Sequence, residues 1–259
     1  MSAAPPPSTS RWIQRPCVRA HARVRLFCVP HAGGTADLFS GWARVADPAI
    51  ELALIQLPGR AGRLREPRIT SMQGMVDRLG EALAPFLDLP FAFFGHSMGA
   101  LIAFELARRL EGHMPERLFL SACPAPQRAR RGPRVGAMND EQLIAFLSAL
   151  GGTPPAVLKN SELLKLVVPF VRSDFELVEA YEFRPGPRLK TPFSICFGST
   201  DPETEPNDIA CWGNLTEAGY EARVFAGNHF FLTTATTELV AWISAALLQR
   251  PPPMPYKEF

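Results

Sequence analysis

Short apolar runs alternate with longer amphipathic segments along most of the chain. Each run is rich in Val, Ile, Leu and Phe, which is typical of strands buried on both faces of a sheet. The predicted strands cover residues 24–29, 51–57, 91–95, 117–122, 193–198 and 221–225. The predicted helices cover residues 71–87, 98–110, 208–218 and 232–248. Strands that alternate with helices predict an α/β fold with a mostly parallel central sheet and helices on both faces.

The segment 124–192 interrupts this alternation. It contains two helical patterns, at 139–150 and 161–182, with no convincing strand between them. Its ends fall where the carboxyl ends of the strands are expected, which is the side of an α/β sheet that carries ligands. We therefore predict a helical lid over a site, and the alternative is a helical decoration without a role there.

Length and composition narrow the class of protein. A chain of 259 residues, 47% hydrophobic and 20% charged, suits one globular domain, predicted over residues 23–250. The formal net charge of +2 gives no reason to expect nucleic acid. No apolar run approaches the roughly 18 residues of a membrane span. The five cysteines show no disulfide or metal-site spacing, which favours a reducing, cytoplasmic setting.

Both ends of the chain are predicted to be tails. Residues 1–22 contain several arginines, three consecutive prolines and no acidic residue. The arginines would suit a transit peptide, but the prolines oppose the amphipathic helix that such a peptide needs, so disorder is the prediction. Residues 251–259 are rich in proline and are expected to fray.

The strongest chemical signal is the sequence GHSMG at residues 95–99, which fits the pattern G-x-S-x-G. It follows the predicted strand 91–95 and opens the predicted helix 98–110. A sharp turn between strand and helix holds a serine hydroxyl out above the sheet, and the glycines relieve crowding around it. The alternative is a glycine-rich turn with an incidental serine. We predict that Ser97 is the nucleophile of an α/β-hydrolase fold.

Such a serine needs a general base and an acid that orients the base, and in this fold the acid precedes the histidine along the chain. Only His113 and His229 follow the serine motif, and His113 falls at the end of the next predicted helix. His229, after the last predicted strand, is the predicted base. Asp201, just after the strand 193–198, is the predicted acid. Three nearby acidic residues remain as alternatives: Glu203, Glu205 and Asp208.

The tetrahedral intermediate of acyl transfer needs two hydrogen-bond donors for its oxyanion. The first is predicted to be the backbone N–H of Met98, the residue after the nucleophile. The second is expected from the loop after the first predicted strand, which reads PHAGG at residues 30–34. Glycines there allow close approach of the backbone to a substrate, and Ala32 is the predicted donor. The alternative is a plain glycine turn.

Several motifs together resemble those of the type II thioesterases, discrete editing enzymes that serve polyketide synthases and nonribosomal peptide synthetases. The resemblance covers about residues 25–248. Its markers are PHAGG at 30–34 with Trp42, QLPGR at 56–60, GHSMGA at 95–100, LGGTP at 150–154, RSDF at 172–175 with Tyr181, and HFFL at 229–232. The resemblance implies that Ser97, Asp201 and His229 form a triad. Where the family commonly has Gly-Gly-His, this chain has Asn228 in the middle position, and we expect it to tolerate a left-handed backbone.

The resemblance also implies a substrate and a partner. The substrate is an acyl group in thioester linkage to the phosphopantetheine arm of a carrier protein, with no metal and no cofactor. Such carrier proteins are typically acidic, so a basic cluster could speed their encounter. Four arginines where the lid begins are the candidate docking surface: Arg128, Arg130, Arg131 and Arg134. The alternative is a solvated run of charge in a loop.

Other functions stay open at this point. A medium-chain thioesterase that releases fatty acids from a fatty acid synthase shares the fold and the triad. A macrocyclising terminal domain is disfavoured because the chain starts at Met1 with no carrier-like segment before the domain. A small-ester hydrolase leaves the motif at 56–60 unexplained. A non-catalytic protein that holds acyl carriers is opposed by the intact nucleophile, acid and base.

Overall fold

A computed structural model describes residues 10–110, 112–128, 133–205, 207 and 210–248. Within them, seven strands form one sheet in the order β1-β3-β2-β4-β5-β6-β7. The strands are β1 Ile13–Gln14, β2 Val24–Val29, β3 Ile50–Ile55, β4 Phe91–His96, β5 Leu118–Ser121, β6 Phe193–Gly198 and β7 Tyr220–Phe225. β1 is antiparallel to β3, and the other neighbouring strands are parallel. The predicted α/β fold is confirmed.

Strands β2 to β6 are buried along their whole length because the sheet is covered on both faces. Along β2, Phe27 belongs to a core on one face and Cys28 to a core on the other. The first core includes α1 (Met72–Leu83) and α2 (Met98–Arg109). The second includes the 3₁₀ helix Ala36–Arg44 and two C-terminal helices. Successive apolar side chains along a strand point to opposite faces of the sheet and so contribute to both cores.

The predicted strands 24–29 and 193–198 have the observed bounds. Each of the other predicted strands differs from the observed strand by one or two residues at one or both ends. The predicted helix 71–87 is α1 followed by the 3₁₀ turn Ala84–Phe86. Pro85 lies in that turn and cannot donate the backbone hydrogen bond that would continue the α-helix. Ser71 caps α1 by accepting a hydrogen bond from Gly74 N–H at 3.2 Å.

Two helix predictions were wrong in extent. The predicted helix 208–218 includes the short 3₁₀ helix Cys211–Leu215, and it ends there because Thr216 is extended and bridges to Leu189. Residues 208 and 209 lie outside the described residues. The predicted helix 232–248 is divided into α6 (Phe231–Thr234) and α7 (Thr236–Leu248). The division falls at Ala235, whose backbone has φ −99° and ψ 23°.

The prediction of a disordered tail over 1–22 is wrong for residues 10–22. β1 pairs with β3, and Ile13 is completely buried. Arg15 donates to the buried carboxylate of Glu51 at 2.7 Å, and Arg19 Nη1 donates to the Ile50 carbonyl at 2.8 Å. These arginines are therefore fixed by partners that only the folded sheet supplies. Residues 1–9 and the predicted tail 251–259 lie outside the described residues.

The segment 124–192 carries helices α3 (Asp140–Leu150), α4 (Pro155–Leu158) and α5 (Ser161–Glu179). α3 begins with a capping box between Asn139 and Gln142 and ends at Gly151, which has φ 80°. Six apolar side chains form a small separate core in this segment: Val135, Leu143, Leu147, Val168, Phe170 and Val171. The segment therefore packs largely on itself rather than within the two cores of the sheet.

Candidate active site

Ser97 occupies a strained turn between β4 and α2. Its backbone has φ 54° and ψ −118°, a conformation that residues with a Cβ rarely adopt. Its N–H donates to the Ser121 carbonyl at 2.8 Å, and its own carbonyl accepts from Ala100 N–H at 2.9 Å. The side chain stays only half-buried. This is the geometry that exposes a serine hydroxyl above the end of a parallel sheet.

The two glycines of the serine motif make room for the turn. A Cβ atom on Gly95 would lie 2.1 Å from the Gly99 carbonyl oxygen, and one on Gly99 would lie 2.2 Å from the Val29 carbonyl oxygen. Neither position can carry a side chain unless the backbone moves. α2 therefore begins directly against the end of β2, which brings the loop after β2 beside Ser97.

Asp201 and His229 meet at the carboxyl end of the sheet. His229 Nδ1 lies 3.1 Å from Oδ1 and 3.0 Å from Oδ2 of Asp201. Asp201 Oδ1 also accepts from Glu203 N–H at 2.9 Å, and Oδ2 accepts from the Thr204 hydroxyl at 3.1 Å. Both members of the pair are buried, with 8% of Asp201 and 5% of His229 exposed. The carboxylate is thus held in one orientation against the imidazole. Of the alternatives, Asp208 lies outside the described residues.

The turn before His229 differs from our expectation. The left-handed backbone belongs to Gly227, which has φ 131°, and not to Asn228. Asn228 instead uses its side chain, whose Oδ1 accepts from Phe230 N–H at 2.9 Å. Because an asparagine can close a turn in this way, the departure from Gly-Gly-His leaves the histidine in place.

One cavity of about 200 Å³ collects the predicted residues. Ser97, Met98, Ala32 and His229 all line it, and Asp201 lies behind His229. The segment 124–192 supplies much of the opposite wall through apolar side chains: Val135, Phe146, Leu150, Phe175 and Val178. The arrangement joins a serine, an imidazole and an apolar pocket, which suits the transfer of an apolar acyl group.

Two further imidazoles lie beside His229. His96, at the end of β4, is completely buried. Its Nδ1 lies 2.8 Å from the Ser121 hydroxyl, and its ring centroid is 5.2 Å from that of His229. Burial lowers the pKa of His96 well below its usual value and lowers the pKa of His31 to about 4. Both rings are therefore neutral near pH 7, and neither places a positive charge next to His229.

Phe230 and Gly152 are site residues that sequence reasoning did not assign. The Phe230 ring centroid lies 4.9 Å from that of His31 and 5.1 Å from that of His229. A Cβ atom on Gly152 would lie 2.0 Å from the Phe230 ring. Gly152 in the segment 124–192 thus packs against Phe230, whose ring in turn lies beside His229. Both residues belong to motifs of the sequence, at 150–154 and 229–232, which is the signal that could have identified them.

The candidate docking arginines are only partly described. Arg128 lines the cavity, and Arg134 is exposed; both belong to the segment 124–192. Arg130 and Arg131 lie outside the described residues. Among the residues that the structure describes, no group of His, Cys, Asp and Glu side chains is arranged to hold a metal ion. In the same residues, no helix is long and apolar enough to cross a membrane.

Comparison with known proteins places the chain among thioesterases. Thioesterase PikA5 of Streptomyces venezuelae is 36% identical over 241 residues, covering 92% of this chain and 85% of that protein. Gramicidin S biosynthesis protein GrsT of Aneurinibacillus migulanus is 34% identical, covering 92% and 94%. The human medium-chain S-acyl fatty acid synthase thioesterase is 33% identical, covering 84% of each chain.

A solved structure agrees with these relatives. The type II thioesterase BorB from the borrelidin biosynthetic cluster superimposes with a TM-score of 0.86 at 35% identity, covering 92% of this chain and 98% of that one. The family model described as "Thioesterase domain" matches residues 24–247. The match spans strands β2 to β7, the serine turn, the Asp201–His229 pair and the segment 124–192. The chain therefore belongs to the thioesterase domain family.

Proposed function

We propose that this protein hydrolyses acyl thioesters on the phosphopantetheine arm of carrier proteins, and so clears aberrant or stalled acyl groups from a polyketide or nonribosomal peptide synthase. The observation that carries the proposal is the Asp201–His229 pair, which opens onto the same cavity as the strained Ser97. The substrate class is supported by relatives named for gramicidin S and borrelidin biosynthesis.

Ser97 is proposed to attack the thioester carbonyl carbon. His229 takes the hydroxyl proton as the bond between Ser97 Oγ and the acyl carbon forms, and Asp201 stabilises the resulting imidazolium. The C–S bond then breaks, and the departing thiolate receives the proton from His229. The product of this half is an acyl-serine and a free phosphopantetheine thiol.

Water completes the cycle in the second half. His229 takes a proton from a water molecule as its oxygen attacks the acyl-serine carbonyl, and returns the proton to Ser97 Oγ when the ester bond breaks. The free carboxylic acid leaves. In both halves the negative carbonyl oxygen is proposed to lie between the backbone N–H groups of Met98 and Ala32. The start of α2 against the end of β2 supports this pairing of donors.

The segment 124–192 is proposed to act as a lid that shapes the acyl pocket. Its apolar side chains in the cavity wall support that role, because they can enclose an acyl chain but offer no catalytic group. Arg128 and Arg134, at the start of the segment, are proposed to attract an acidic carrier protein. A cytoplasmic location is part of the same proposal and depends on the cysteine pattern of the sequence.

The direct test compares the wild-type protein with Ser97→Ala on carrier protein loaded with acetyl, propionyl or decanoyl phosphopantetheine. Release of free acid and of carrier thiol is measured. Loss of the serine should reduce turnover on the order of a millionfold, with an unchanged circular dichroism spectrum. A fluorophosphonate probe should label the wild type alone. If the wild type cleaves simple esters but leaves every carrier thioester intact, the substrate class is wrong.

A medium-chain fatty acyl thioesterase is the second candidate. It is favoured by the identity to the human medium-chain enzyme over 84% of this chain. The same acyl series separates the two candidates, because a fatty acid enzyme should prefer the decanoyl thioester. A preference for acetyl or propionyl supports the editing function.

A further inference from the structure

A buried ion pair connects three motifs that are far apart along the chain. Asp174 belongs to α5, Arg60 follows β3, and Gly33 lies in the loop after β2. The side chain of Arg60 is 2% exposed and that of Asp174 is 1% exposed. Arg60 Nη2 donates to Asp174 Oδ1 at 2.6 Å, and Arg60 Nη1 donates to Oδ2. The two groups therefore meet through a pair of parallel hydrogen bonds.

The same carboxylate holds the loop after β2. Gly33 N–H donates to Asp174 Oδ2 at 2.7 Å, and Arg60 Nη1 donates to the Gly34 carbonyl at 3.3 Å. Gly33 has φ 81°, and a Cβ atom there would lie 2.8 Å from Val171, one turn before Asp174 on α5. The loop thus contacts α5 through a hydrogen bond and through close packing.

The peptide unit between Ala32 and Gly33 is held at both of its ends. Its N–H donates to Asp174, and its carbonyl lies 2.9 Å from His31 Nδ1, which can donate to it. Because a peptide unit is planar, two such bonds set its orientation. The N–H of Ala32 belongs to the preceding peptide unit, between His31 and Ala32. The direction of that N–H depends on the Ala32–Gly33 unit, whose orientation the two hydrogen bonds hold.

We infer that Asp174 is a positioning residue for the oxyanion donor. Through Gly33 it fixes the backbone that carries Ala32 N–H. Because Asp174 belongs to α5, it also connects that donor to the segment 124–192, which supplies the opposite wall of the cavity. Arg60 is the counter-ion that neutralises Asp174 in this buried position. The inference rests on the proposed function, because it assigns Asp174 a part in thioester hydrolysis.

A matched pair of substitutions separates positioning from simple stabilisation. Asp174→Asn and Asp174→Ala both leave Arg60 without its counter-ion, so both are expected to lower the midpoint of thermal unfolding by a similar amount. Only Asp174→Asn keeps an oxygen that can accept from Gly33 N–H. Each variant is assayed below its unfolding transition, and kcat is expressed per active site titrated with a fluorophosphonate probe.

A double variant is expected to recover stability without recovering the catalytic rate. Arg60→Met with Asp174→Leu removes both buried charges and restores packing, so its unfolding midpoint should return towards that of the wild type. It offers no acceptor to Gly33. We expect kcat per titrated site to fall about 100-fold in Asp174→Ala and in the double variant, and less than about tenfold in Asp174→Asn. KM should stay nearly constant, because the oxyanion develops only in the transition state.

Two results would overturn the inference. One is equal kcat in Asp174→Asn and Asp174→Ala, since only the asparagine keeps an acceptor for Gly33 N–H. This comparison decides the question even where the double variant does not fold. The other is a stable double variant with wild-type kcat. The rate at which the probe labels Ser97 gives a readout without a thioester, because phosphonylation also places negative charge on an oxygen in the same site. A wild type inert on every thioester would therefore refute the proposed function but leave the positioning of the donor to be judged from labelling.

Discussion

The inner and outer walls of the cavity are built in different ways. The inner wall, with Ser97 and His229, is set by contacts between backbones. A Cβ atom on Gly99 would meet the Val29 carbonyl at 2.2 Å, and one on Gly198 would meet the Asn228 carbonyl at 2.2 Å. The outer wall, with Phe146 and Phe175, is set by side chains that pack on a small core of their own.

Because of this difference, we expect the inner wall to control the catalytic rate and the outer wall to control the choice of acyl chain. Backbones in contact cannot accept a larger residue without moving, so the inner wall holds the reacting groups in one geometry. Apolar side chains that line a pocket can change size while the fold is kept, because volume changes in such packing are partly absorbed by neighbours. We expect substitutions in the inner wall to change rate or folding, and substitutions in the outer wall to change the preferred acyl chain.

After the loss expected for Ser97→Ala, the largest effect is expected behind the inner wall, at Asp201. Asp201→Asn should reduce kcat by about ten thousandfold, because an amide can hold His229 in the wrong tautomer and cannot stabilise the imidazolium. Initial rates on an acyl-carrier substrate measure the loss. Glu203→Gln is the control, since Glu203 lines the cavity while Asp201 contacts His229. A comparable loss in Glu203→Gln would show that the acid has been assigned to the wrong residue.

A smaller effect on rate, with a clear effect on folding, is expected at Gly99. Gly99→Ala drives a methyl group into the end of β2 and should lower the free energy of unfolding by about 1–3 kcal/mol or more. Gly80→Ala is the matched control, because a Cβ atom at Gly80 in α1 has nothing within 4 Å. That change should raise the free energy of unfolding by roughly 0.5–1 kcal/mol. Urea unfolding measures both, and equal behaviour of the two variants would contradict the description of the inner wall.

The smallest effect is expected at Tyr181 in the outer wall. Tyr181 lines the cavity and also a groove of about 610 Å³ on its other side, and its hydroxyl donates to Glu105 at 2.6 Å. Tyr181→Ala should join the two spaces and raise the ratio of kcat/KM for octanoyl over propionyl thioesters about tenfold. Tyr181→Phe keeps the ring as a partition, so its ratio should match the wild type. If the alanine variant loses activity on all chain lengths equally, Tyr181 supports the site and does not limit the chain.

The sequence predicted most of the inner wall because the signals for it are motifs of a few residues or depend on the order of residues along the chain. Strand, turn and helix around Ser97 lie within a few residues of one another. His229 followed from the order of the histidines along the chain. The turn that carries it was predicted for the wrong reason, since Gly227 and the Asn228 side chain shape it together. Local patterns indicate that a turn exists, but the hydrogen bonds within it depend on what surrounds it.

The chain by itself determined the alternation of strands and helices, the parallel sheet, and the positions of Ser97, Asp201 and His229 at the ends of strands. These features depend on the periodicity of apolar residues and on the spacing and order of motifs, which can be read from the sequence without knowledge of tertiary contacts. Only the tertiary structure decided that β1 pairs with β3 and that Arg15 meets Glu51. It also decided that Asp174 meets both Arg60 and Gly33. Such partners are distant along the chain, and a buried charge gains a defined partner only when the packing of the whole domain removes water from around it.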